Sequence, residues 1–173
     1  MIYLFGGLTA ANLLLLATVF TLGPGAIDAQ GEPTKLYEVH LLFGVAAGLM
    51  CALVHVTVFT YFVATSKWLA DAADKAALEE AQYVAPSLQR KLRAFLLAMA
   101  AFGITFVTMI AGAGGDPTMR LLWPGGIHFM LAAATLVMNL LCALGEYHLI
   151  RRQGALISRV AEILGIQPSV STQ

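Results

Sequence analysis

Four histidines are the residues of this chain best suited to chemistry, and each lies in or beside an apolar segment. His40 sits in Glu38-Val39-His40-Leu41-Leu42 and His128 in Gly126-Ile127-His128-Phe129-Met130, both near the start of a long apolar run. Imidazole is the commonest metal-binding side chain. A polar residue kept within an apolar membrane segment marks function by default. Two facing imidazoles inside a helical bundle are what the iron of a b-type haem takes as axial ligands. His40 and His128 are therefore the candidate ligands of one haem. His55 follows His40 by 15 residues, about 22 Å along a helix and about 60° around it. Its available partner is His148, which stands about 200° around the helix from His128. His55 and His148 form the candidate pair for a second haem, with that phase against it.

The elements that must carry these residues are membrane spans. The chain has 173 residues, 59% of them hydrophobic and only 12% charged, about half the charged share of a soluble domain. Four runs are long enough to cross a hydrocarbon core of about 30 Å. They predict helices at about 3–22, 37–65, 92–113 and 125–150, the first ending at Gly23-Pro24-Gly25. The expected fold is all-α: an integral membrane bundle of four transmembrane helices in one domain over 1–150. A helical connector over 66–89, ending before Pro86, and an amphipathic tail over 151–173 complete the chain. Met1-Ile2-Tyr3-Leu4-Phe5 lacks the positive flank of a signal peptide, so the first run reads as a span. The loop at 66–91 holds Lys67, Lys75, Arg90 and Lys91, followed by Arg93 at the head of the third span, and the tail holds Arg151, Arg152 and Arg159. The positive-inside rule places both, and the N-terminus, in the cytoplasm. The expected location is a bacterial inner (cytoplasmic) membrane.

Sliding the chain by 88 residues lays His40 on His128, Asp28 on Asp116, Val19 on Val107, Met50 on Met138 and Leu53 on Leu141. Helices one and two would then match three and four as two parallel hairpins. His40 and His128 would lie at one depth near the outer face. Lys35 and Arg120 precede them and are the candidate partners of haem propionates, since basic forks suit carboxylates. Asn12 and Asn139 are expected to join helices by hydrogen bonds. Met50, Met99, Met109 and Met138 read as core filling, Cys51 and Cys142 as buried thiols, and Trp123 and Tyr37 as interfacial aromatics. Glu146 is expected at the cytoplasmic surface with His148, Arg151 and Arg152.

The placement of His40 and His128 on alternate helices, with Glu38 two residues before His40, resembles the four-helix membrane b-type cytochromes. The cytochrome b561-like proteins and the half-bundles of haem A synthase share this arrangement. The resemblance implies a haem b cofactor, one or two per chain, exchange of electrons between a quinone pool and a partner, and association with other membrane or redox subunits. The competing reading is a cofactor-free structural or anchoring subunit, with Gly44, Ala47, Gly48 and Ala52 allowing close helix contact. A transporter would need a polar pathway, which the middle of these helices does not suggest. Zero net charge gives no field for nucleic acid. No phosphate loop, nucleophile elbow or His-Glu-x-x-His is present, so no soluble-enzyme chemistry is indicated, and the lipid bilayer is the first expected partner.

Overall fold

Backbone groups in hydrocarbon must find partners within their own segment, so long apolar runs fold as helices. The computed structural model describes residues 1–114 and 124–166. It contains α1 (Ile2–Ala26), α2 (Lys35–Lys75), α3 (Glu80–Gly114) and α4 (Gly125–Ile163). Each is long and apolar enough to span a membrane. Helices adjacent in sequence pack side by side, α1 closes on α4, and α2 meets α4 across the middle. The result is a four-helix bundle of candidate membrane spans.

Buried positions follow a spacing of alternately four and three residues. On α3 the run Ala94, Ala98, Ala101, Thr105 and Thr108 keeps this spacing, and on α4 the run Thr135, Asn139, Cys142, Glu146, Leu149 and Gln153 does. That is the seam of a left-handed bundle. The outer faces present Leu14, Leu42, Leu49, Leu96, Met130 and Val137, all exposed, which is the surface that lipid contact requires.

The helices run past the expected spans. α1 continues through Gly23-Pro24-Gly25 to Ala26, because a proline in the last turn removes only the bond to the Phe20 carbonyl. α2 has 41 residues, about 60 Å of helix, twice the hydrocarbon thickness. The connector therefore shrinks to a turn at 76–79. The helix there does not end before Pro86: Pro86 lies inside α3, near its start, where it leaves only the Gln82 carbonyl without a helical donor. The amphipathic tail is not separate from the fourth span, since α4 carries on to Ile163. At this connector end α2, α3 and α4 share a second core of Leu69, Ala72, Tyr83 and Val160.

Both long extensions end in the same way. The Leu78 amide bonds to the Ala73 carbonyl and the Ala77 amide to that of Asp74; Ile166 and Gly165 bond to Ala161 and Glu162 likewise. This double closure needs a left-handed residue. Gly165 supplies it with φ 66, but in the first turn the residue is Ala77, with φ 48.

The opposite, or loop, end is fixed by polar contacts. One Asp28 carboxylate oxygen accepts from the amides of Gln30 (2.9 Å) and Glu32 (2.8 Å). The Thr34 hydroxyl donates to the Gly25 carbonyl (2.6 Å) and accepts from the Leu36 amide, which caps α2. The loop thus locks the start of α2 against the end of α1, less than two turns before His40.

Candidate functional site

His40 and His128 come together at the loop end. Their ring centroids are 6.1 Å apart and the rings are perpendicular, at 89°. The two are anchored alike. Nδ1 of His40 donates to the Val19 carbonyl on α1, and Nδ1 of His128 to the Thr108 carbonyl on α3, both at 3.2 Å. A carbonyl only accepts, so each Nδ1 carries its hydrogen and, in the neutral ring, Nε2 keeps its lone pair. A glycine makes room behind each ring. A β-carbon on Gly112 would lie 2.9 Å from Cε1 of His128; one on Gly23 would lie 3.5 Å from Cε1 of His40.

The rings border a cavity of about 700 Å³ lined by residues of all four helices. Its walls are apolar, with Leu16, Phe20, Val45, Met109, Phe129 and Leu136 prominent. Phe20 and Phe129 are themselves in ring contact at 5.3 Å. Such a largely apolar pocket with a few converging polar groups is the usual form of a ligand site.

Below the cavity a polar ladder descends the seam. The hydroxyls of Thr108 and Thr135 are 2.6 Å apart. The Asn139 amide donates to the Thr135 carbonyl (3.0 Å) and to the Thr105 hydroxyl (3.1 Å). Its oxygen accepts from Asn12 (3.2 Å) and from the Cys51 thiol (3.4 Å). The two intramembrane amides therefore do join helices, α1 to α4. One turn further, Nδ1 of His55 meets Oε1 of Glu146 at 2.8 Å, with both residues buried. A third polar cluster lies nearer the connector end, where Gln153 donates to Ser87 (2.7 Å) and Thr65 (3.2 Å) and accepts from Arg90 (3.2 Å).

The 88-residue shift acquires a direct meaning here. His40 with His128, Cys51 with Asn139 and Thr65 with Gln153 are each separated by 88 residues, and each pair touches. The shift is the axial register of α2 against α4.

His55 and His148 are not brought together. His148 lies on the exposed side of α4 with its ring against Tyr147, as its phase requires, while His55 turns inward to Glu146. Glu146 is not a surface residue: it is fully buried. Its signal was available, because it follows His128 by 18 residues, five full helical turns, and so shares its face. Lys35 is exposed in the first turn of α2. Arg120 and Trp123 lie outside the described residues. The bundle defines a class, a four-span membrane protein with a polar seam and a histidine-lined cavity at one end. No family model, characterised protein or solved structure matches the chain.

Proposed function

We propose that the loop-end cavity takes a b-type haem, with His40 and His128 as its axial ligands, and that the chain is the electron-carrying subunit of a membrane complex. The observation that carries this reading is the opposed histidine pair. A metal held between two imidazole nitrogens at about 2 Å each sets the ring centres roughly 6 Å apart, and these centres are 6.1 Å apart. An Nδ1–H bonded to a backbone carbonyl is the usual outer support of a ligating histidine, since it fixes both tautomer and ring orientation. The cavity is apolar and of haem-like size, as cofactor sites in bundle cores are. Bound haem would supply one-electron chemistry at its iron. The chain's own residues would hold the group through His40 on α2 and His128 on α4, surround it with the apolar side chains of Phe20, Phe129 and Leu136, and offer Lys35 at the loop end. Arg120, eight residues before His128, is the second candidate for a propionate. The lysine and arginine balance supports a cytoplasmic connector end, which puts the cavity on the outer side, where a quinone or a partner protein would exchange electrons with it.

The test is an optical spectrum of the purified full chain, oxidised and reduced. A Soret band and a reducible α-band, lost in both His40→Ala and His128→Ala, are expected. A colourless chain after expression with ample haem supply would sink the reading. It would favour the cofactor-free anchoring subunit instead, for which the segment at 66–91 and the tail would be the docking elements.

A further inference from the structure

The buried contact between His55 and Glu146 has no role in the haem reading. His55 and Glu146 are 5% and 0% exposed, and each keeps one buried atom without a hydrogen-bond partner, Nε2 of His55 and Oε2 of Glu146. Buried polar atoms are nearly always satisfied, and exceptions call for an explanation. Ionisable residues facing the interior of a membrane bundle mark ion or proton pathways.

We propose that His55 and Glu146 form a proton-exchange site inside the membrane, supplied from the loop-end cavity and closed toward the connector end. Nδ1 of His55 is committed to Oε1 of Glu146, so Nε2 is the atom that gains and loses the proton. With Nε2 bare, a neutral imidazole faces a carboxylate and the pair carries one negative charge. One proton from water at the loop end binds Nε2, brings the pair to net zero, and leaves by the same route. One N–H bond forms and breaks; nothing is oxidised or reduced. Low dielectric disfavours net charge, which favours the loaded state, while the carboxylate prevents the site from standing as an isolated cation.

The surroundings give the site its direction. Toward the loop end, the Cys51 thiol lies one turn away on the same helix, followed by Asn139 and Thr105 and then the paired hydroxyls of Thr135 and Thr108 at the cavity wall. The Cys51 thiol and the Thr105 hydroxyl both donate and accept and lie 3.5 Å apart, and Thr105 itself lines the cavity, so the two can carry a proton between cavity water and Nε2 once the thiol turns to that nitrogen. Toward the connector end, Val58, Phe62, Ala94 and Ile150 are all buried and stand between the pair and the Ser87–Gln153 cluster. The titratable neighbours are Cys51 on α2 and Cys142 on α4. At this level α1 contributes Phe5 and Leu8, and α3 contributes Ala94 and Leu97, none of which titrates. The proposal does not depend on a haem in the cavity.

The experiment uses the full chain with nitrogen-labelled histidine, reconstituted with one orientation into phosphatidylcholine vesicles. Solid-state NMR reads the Nε2 resonance of His55, assigned by its loss in His55→Asn. Acidifying the compartment at the loop end should convert the resonance from bare to protonated, and acidifying the other compartment should leave it unchanged. Glu146→Gln should move the conversion to lower pH by about one unit or more, because the facing carboxylate no longer favours the cation. A resonance that stays constant when the loop-end compartment is acidified, or one that follows the connector-end compartment, overturns the proposal. The wild-type result decides alone if Glu146→Gln does not fold. The optical spectrum of the same preparation tests the haem reading separately.

Discussion

Replacing Gly112 with alanine tests the site through one methyl group. The new β-carbon would lie 2.9 Å from Cε1 and 3.3 Å from Nδ1 of His128. Carbon atoms settle at about 3.5–4.0 Å, so the ring must retreat by roughly 0.6–1 Å. That movement stretches the bond from Nδ1 to the Thr108 carbonyl, now 3.2 Å, beyond hydrogen-bonding range. The lost bond costs about 1 kcal/mol and the overpacking about 1–3 kcal/mol. Together they weaken a ligand bound through this ring by roughly 30-fold to 1,000-fold. Gly103 lies on the same helix and has nothing within 4 Å of its would-be β-carbon, so Gly103→Ala is the control, and it should add about 1 kcal/mol of helix stability. Haem content per chain, measured as the pyridine adduct alongside thermal unfolding followed by circular dichroism, separates the outcomes. Gly112→Ala should keep its helices and lose most of its pigment, while Gly103→Ala keeps both. Full pigment with an unchanged spectrum in Gly112→Ala would refute the placement of His128 as a ligand.

Three further outcomes follow from the geometry. Gly44 borders the cavity with open space beyond it, so Gly44→Leu should fill the cavity and abolish pigment with the helical signal intact; retained pigment would show that the ligand sits elsewhere. Ala77→Gly should raise stability by about 1 kcal/mol, because it removes the left-handed penalty at the α2 terminus, and an unchanged thermal midpoint would contradict this. Asn139→Leu removes four hydrogen bonds and strands the Asn12 amide in the core. A loss of about 1–3 kcal/mol is expected, read as a lower thermal midpoint, and a neutral result would mean that the ladder does not hold the bundle.

Much of the architecture was legible in the sequence. Run length and apolar content identified four helical spans, because lipid leaves a backbone few alternatives. The opposition of His40 and His128 was legible through their shared position in two parallel helices. The helix ends were not, since Gly-Pro-Gly and Pro86 read as breakers wherever they fall, whereas a proline near a terminus costs only one bond. Glu146 was misplaced because its neighbours Arg151 and Arg152 suggested a wet surface. Its face is set by phase rather than by neighbours, and counting in full turns from His128 would have put it inside. The four-three spacing of Thr135, Asn139, Cys142, Glu146, Leu149 and Gln153 was also present to be read. Apolar residues on every side of α4 obscured it, because a lipid-facing surface removes the contrast that reveals a buried stripe.

That polar stripe explains why the histidines meet at all. Hydrophobic burial cannot set the register of helices in lipid, because the solvent is as apolar as the core, and hydrogen bonds and close packing must do so. Leucine can slide along leucine at little cost, but the Cys51–Asn139 and Thr65–Gln153 contacts admit one axial position of α2 against α4. His40 lies 11 residues before Cys51, as His128 does before Asn139, so a register fixed in the middle of the bundle delivers both rings to one depth, about 16 Å away. His55 lacks a partner at the same offset, where Ala143 stands, and finds one three residues further on in Glu146. The same register thus opposes two imidazoles at the cavity and an imidazole to a carboxylate below it. Two contacts of different chemistry arise from one seam.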